Sequence, residues 1–259
     1  AIPLIYFGYL AYSDDQSWAY CGIPLVVLIA GTMALGPQID WWWWRRYPPA
    51  VSDTLQRMLQ SKFAFYQNLD STGKSKFRTR LALYIRGNDF TAQGPKEIPG
   101  DIQAMAAAYA IQVGWHQDNF LLSPFEKIVF YVQAFPSPQY PKHWHASEVF
   151  APDGVVIFSS EHLVKSFVDP NSYYPIGLHE YVKVHQHIYS EIPLPLTDED
   201  WPRLQDIAGF SLDTIQQWIG LDDFGPNTVG MVYYHQYPEA LERVLPAAFA
   251  AYQRYFLQS

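Results

Sequence analysis

Between Trp18 and Gly36 the chain runs without a charged residue, through Cys21-Gly-Ile-Pro-Leu-Val-Val-Leu-Ile-Ala-Gly-Thr-Met-Ala-Leu35. No other feature restricts its folding as much. A backbone surrounded by apolar side chains has to pair its own N–H and C=O groups, and a helix does this within one segment. At 1.5 Å per residue the run is long enough to cross a hydrocarbon core of roughly 30 Å, so it is expected to be a transmembrane helix.

What flanks the run fits a bilayer. Ile2 to Tyr12 is apolar and the numbered chain opens on alanine, so a first transmembrane helix, begun upstream, is expected there, joined to the second by the acidic link Ser13-Asp-Asp-Gln-Ser17. Beyond the run, Trp41-Trp42-Trp43-Trp44 forms an interfacial aromatic belt, and Arg45-Arg46 follows it on the side that the positive-inside rule makes cytoplasmic. A signal peptide is disfavoured because the run is too long and lacks a cationic region directly before it. A core helix would not need four tryptophans at its exit. Residues 1–47 are thus expected as a helical hairpin in the membrane, with Pro48-Pro49 opening a second domain over 48–259.

That second domain has the apolar content to build a core, since 49% of the chain is hydrophobic and only 16% is charged. The net charge of −8, with no cluster of Lys and Arg, argues against nucleic acid as a partner. The lone cysteine, Cys21, excludes an intrachain disulfide framework.

Apolar spacing predicts helices over Val51–Asn68, Phe77–Gly87, Ile102–Trp115, Glu161–Phe167, Trp201–Ile207, Leu212–Ile219, Thr228–Tyr234 and Glu239–Leu257. Ser71 to Ser75 reads as a turn. Its Gly73-Lys74-Ser75 lacks the upstream glycine and the preceding strand of a phosphate loop. Phe90 is expected to begin a surface loop. Lys127–Val132 and Val155–Phe158, β-branched and aromatic, read as strands of one small sheet. The expected class is α+β, with the sheet packed on helices.

The chemistry concentrates in Pro175-Ile-Gly-Leu-His179-Glu180-Tyr-Val-Lys183-Val-His185-Gln-His187. It begins like H-E-x-x-H, where two histidines one turn apart share a helix face and hold zinc beside a glutamate base. Here the second ligand position is Lys183, whose ammonium has three donors and no lone pair. His185 points about 240° away from His179, and His187 sits about 12 Å along the axis, so neither replaces the missing ligand. A metal would need His235, or His143 and His145, to come close. Histidines alternating in a Pro-rich loop are more often solvated or hydrogen-bonded.

Several segments taken together resemble the Mlc titration factor A family of zinc metallopeptidases. These are Phe125-Glu-Lys-Ile-Val-Phe-Tyr131 with Phe135-Pro-Ser-Pro138, Gly154-Val-Val-Ile-Phe158, His179-Glu180, and Tyr233-Tyr234 through Pro238-Glu239 to Tyr252-Gln-Arg-Tyr-Phe256. The resemblance covers roughly Asp53 to the C-terminus. It implies a zincin-like fold of the anthrax-lethal-factor type, with a third zinc ligand, a glutamate, at or near Gly225 and an oxyanion-stabilising tyrosine near Trp218. On that reading His179 is the surviving metal ligand, Glu180 a vestigial base, and Lys183, Trp218 and Gly225 stand where the other groups are lost.

The expectation that follows is a membrane-anchored member of a zinc-peptidase family, in the bacterial inner membrane with its domain in the cytoplasm. Its metal site has decayed, it needs no cofactor, and it serves as a binding or accessory subunit among other membrane-protein subunits and lipid. Lys183 and Glu180, an i,i+3 pair of opposite charge, would fill the place of the metal. The alternative is an active zinc peptidase using His179, Glu180 and a non-standard ligand set.

Overall fold

The computed structural model describes residues 18–94 and 97–258. The chain divides into two compact units, Ala1–Pro48 and Pro49–Ser259, one residue past the expected boundary.

In the first unit the uncharged run is helical, but it does not continue straight. Helix α1 (Trp18–Ala34) ends at Leu35 and α2 (Gly36–Arg46) follows at an angle of 64°. Pro37 accounts for the bend, because it has no N–H to donate and its ring collides with the carbonyl one turn back. Among the described residues no single helix is long and apolar enough to cross a membrane; the bent pair meets that condition only jointly. Ile23, Val26, Val27, Leu28, Met33 and Leu35 are all exposed, as are Trp42 and Trp43. At about 100° per residue, Trp41 to Trp44 ring the helix instead of forming one face. The expected first span, Ile2 to Tyr12, lies outside the described residues.

The second unit begins with α3 (Asp53–Lys62) and α4 (Ala64–Asn68), where one helix was expected. The break at Phe63 turns that ring into the core against Phe77, Tyr109 and Phe167. Helix α5 (Ser71–Gly87) starts earlier than its apolar spacing suggests, because Asp70 accepts a hydrogen bond from Gly73 N at 2.6 Å and caps it. The residues read as a turn are therefore its first turn. Phe90 belongs to strand β1 (Asp89–Gln93), not a loop, and its ring stacks on Phe130. Then come α6 (Gly100–Val113), β2 (Lys127–Tyr131), β3 (Ser147–Phe150), β4 (Val155–Ser159) and α7 (Ser160–Val168).

The four strands form one sheet in the order β1-β2-β4-β3. β1, β2 and β4 run parallel and β3 closes the edge antiparallel to β4. The two expected strands lie in one sheet, and the class is α+β as expected. Strand β3 escapes a reading by β-branched content, yet Asp153-Gly154 marks the turn that joins it to β4. Gly154 holds φ at +61°, and a Cβ there would sit 2.2 Å from the Pro124 carbonyl oxygen.

Helix α8 (Ile176–Ile188) runs through the middle of this unit, packed on α6, α7 and β3. The alanines of α6 permit the approach: Ala104, Ala106, Ala107, Ala108 and Ala110 are all fully buried. Gly177 completes it, since a Cβ there would lie 2.4 Å from Tyr109 Cδ2. Tyr181 of α8 reaches Phe158 of β4 and Tyr84 of α5, to whose hydroxyl it is hydrogen-bonded at 3.1 Å. The chain ends in α9 (Trp201–Ala208), α10 (Leu212–Ile219), α11 (Pro226–Gln236), α12 (Pro238–Val244) and α13 (Pro246–Gln258). The single closing helix expected over Glu239–Leu257 is split because Pro246 cannot donate to the turn before it.

Candidate functional site

Every residue of α8 from Ile176 to His185 is buried. A helix buried on all sides brings its polar groups into the core, and each of them then needs a partner. Lys183 is only 8% exposed, and its Nζ lies 3.6 Å from Glu180 Oε2, at the spacing expected from the motif. Its nearer partner is one that the motif does not contain: Asp223, at 2.8 Å, on the loop between α10 and α11. Ser147 of β3 donates to Glu180 Oε1 at 2.7 Å, and the Tyr140 hydroxyl donates to Asp223 at 3.4 Å. One ammonium is thus held between two carboxylates, themselves steadied by two hydroxyls.

Burial works against the Lys183 ammonium, but Glu180 and Asp223 together hold its pKa above the ordinary lysine value. Glu180 is raised, because burial outweighs the help of Lys183 and Ser147. His179, fully buried and next to that cation, is held well below the usual imidazole range and is neutral. Its Nδ1 pairs with the Tyr174 hydroxyl at 2.9 Å, its ring stands edge-on to Phe224, and its Nε2 has no hydrogen-bond partner among the described residues.

The other positions marked by the resemblance are placed as follows. Trp218 donates from Nε1 to the Tyr174 carbonyl at 3.0 Å and packs on His162 and Tyr173, so it braces the loop before α8. Gly225 is the residue before α11 and carries no side chain to contribute. A carboxylate does approach from this loop, but from Asp223, two residues earlier. His185 points away, among Tyr189, Tyr255 and Phe256, as its angle on the helix requires. His187 lies against Phe125. His235 packs on Phe256 instead, outside this cluster. In the loop before β3, His143 is exposed, while both ring nitrogens of His145 face acceptors, His143 O at 2.9 Å and Glu148 Oε2 at 3.0 Å.

These residues do not fit zinc. An ammonium sits among the groups that would have to hold the ion, and no three of His, Cys, Asp and Glu among the described residues converge as a metal-holding group. An open cleft of about 730 Å³ reaches Lys183, His187 and Asp223, with Tyr140, Phe150 and Pro152 along its walls. It lies within the range of small-ligand pockets, roughly 300–1,000 Å³.

Fold and site together define an α+β domain built around a buried lysine held by two carboxylates at the floor of an open cleft. The chain matches no protein-family model and no curated protein.

Proposed function

We propose that this chain is a membrane-anchored, zincin-like protein whose metal site has been replaced by an ion pair, and that it acts as a non-catalytic binding or accessory subunit. The observation that carries the reading is the position of Lys183. Its ammonium lies between Glu180 and Asp223, so one buried cation, without a metal, offsets part of the charge of the two carboxylates. The resemblance suggests the family, and the packing of α8, which carries His179 and Glu180, on β3 of one small sheet agrees with the arrangement expected from it. With Glu180 engaged by Ser147 and Lys183, the cleft is left as a binding surface.

The anchor is the bent pair α1–α2. Its support is the exposed aliphatic surface of α1, the tryptophan ring of α2 and Arg45-Arg46 after it. On the positive-inside rule the domain faces the cytoplasm of a bacterial inner membrane, and lipid and other membrane-protein subunits are its partners.

The deciding experiment is zinc analysis of the purified full chain together with a casein-cleavage assay. Zinc far below one equivalent and no cleavage above background are expected. One equivalent of zinc per chain, or cleavage that Glu180→Gln abolishes, would overturn the reading in favour of an active peptidase.

A further inference from the structure

Charge is divided unevenly along this chain. Residues 45–86 carry nine of its seventeen lysines and arginines and only two acidic residues, Asp53 and Asp70, whereas residues 88–259 carry the other eight together with twenty acidic residues. The nine never stand more than two in a row, and what sets them apart is the lack of acids between them. The fold places most of them on consecutive helices. α5 holds five, Lys74, Lys76, Arg78, Arg80 and Arg86, in seventeen residues without an acid, and its buried stripe of Phe77, Leu81 and Tyr84 leaves them around the rest of the helix. Lys76 and Arg86 are exposed, as are Arg57 and Lys62 of α3. Arg80 is committed to the carbonyls of Gly114, Trp115 and Gln117, and Asp118 offsets part of its charge and that of Lys76. The cleft at Lys183 takes no lining residue from this segment.

We propose, resting on the membrane anchor inferred above, that the basic side of α3 and α5 is a docking surface for anionic phospholipid headgroups and that it holds the second unit down on the membrane. Residues 47–52 are all that separates α2 from α3, and six residues span at most about 20 Å even when fully extended. An anchored chain therefore meets the headgroups in an intramolecular step. Each basic residue near an anionic surface then contributes a factor of roughly five to the docked population, so a few exposed ones are enough. The acidic excess of residues 88–259 acts in the same sense, because an anionic surface repels it and turns that side away. Nucleic acid fits less well, since it meets the same repulsion without a tether to offset it.

Pulsed acylation of lysines tests this on the full chain in lipid nanodiscs, of phosphatidylcholine alone and of phosphatidylcholine with phosphatidylglycerol, read residue by residue by mass spectrometry. Lys62 and Lys76 report on the basic side, and Lys127 and Lys142, also exposed, serve as internal references on the acidic remainder. Relative to those references, Lys62 and Lys76 should label at least about fivefold more slowly in the anionic discs than in the neutral ones, the factor that one basic residue supplies. Raising the salt from about 0.15 to about 1 M, which shortens the screening length from about 8 to about 3 Å, should remove the difference. Arg57→Glu combined with Lys62→Glu, both changes at exposed positions, should relieve part of the protection of Lys76. A chain that stays out of neutral discs would overturn the anchor and this proposal with it. A chain that enters them but labels alike in both lipids would overturn the proposal alone, as would protection that survives high salt, or protection in neutral discs by added duplex DNA as strong as that by phosphatidylglycerol.

Discussion

Lys183→Met removes the cation and keeps the stem, which isolates the charge. What remains is Glu180, fully buried, and Asp223, partly exposed. At the 3.6 Å separation of Lys183 and Glu180, and an effective dielectric near 20, the lost attraction is about 4–5 kcal/mol. The carboxyl can escape part of that penalty by taking up a proton. Starting from an unfolded value of about 4.3, protonating it costs at most about 3.7 kcal/mol at pH 7 and about 1 kcal/mol at pH 5. The Asp223 pair, open to water on one side, adds less than about 1 kcal/mol.

The sign follows from Glu180, whose pKa is already raised and rises further without Lys183. A carboxyl raised in the folded state carries no penalty below its unfolded pKa, and the penalty grows as pH climbs toward the folded pKa. The variant should therefore lose roughly 3 kcal/mol at pH 7 but only about 1 kcal/mol at pH 5. Urea unfolding of the full chain in mild detergent, followed by near-UV circular dichroism at both pH values, measures this. Adding Glu180→Gln to the variant should recover most of the loss at pH 7 and little at pH 5. A loss under about 0.5 kcal/mol at both pH values, or no relief from Glu180→Gln, would mean that the lysine is solvated and the cluster contributes nothing.

Three further outcomes are expected. Gly177→Ala should destabilise the second unit by about 1–3 kcal/mol, seen as a lower melting temperature, because the new methyl lies 2.4 Å from Tyr109 Cδ2 and 2.8 Å from Leu163 Cδ1, both in the packed core. Lys183→His should leave casein cleavage at background even with zinc added, since Gly225 and Trp218 still offer neither carboxylate nor hydroxyl at their positions; cleavage above background would refute this. Protease added outside sealed right-side-out vesicles should leave the second unit intact, and its digestion there would reverse the proposed topology.

Local pattern made much of the chain readable. The charge-free run, its tryptophans and its arginines stand together in sequence, and Pro48-Pro49 marks the unit boundary to within a residue. β2 and β4 show in their β-branched content and most helices in their spacing. His179, Glu180 and Lys183 read as one cluster because a helix places i, i+1 and i+4 predictably. Where the pattern misleads, a specific residue is responsible: Pro37 bends the apolar run, Pro246 divides the last helix, and Asp70 starts α5 a turn early.

Tertiary structure alone decided the rest of the site. Asp223 reaches Lys183 across 40 positions of sequence and Ser147 reaches Glu180 across 33, and nothing near either residue announces it. The exposed-looking acidic loop containing Asp223 and the short edge strand holding Ser147 acquire their roles only once α8 is packed between them. Periodicity reports which face of an element is buried. It does not report what that face meets, because a buried polar atom is satisfied or left over by the neighbours that the fold brings to it.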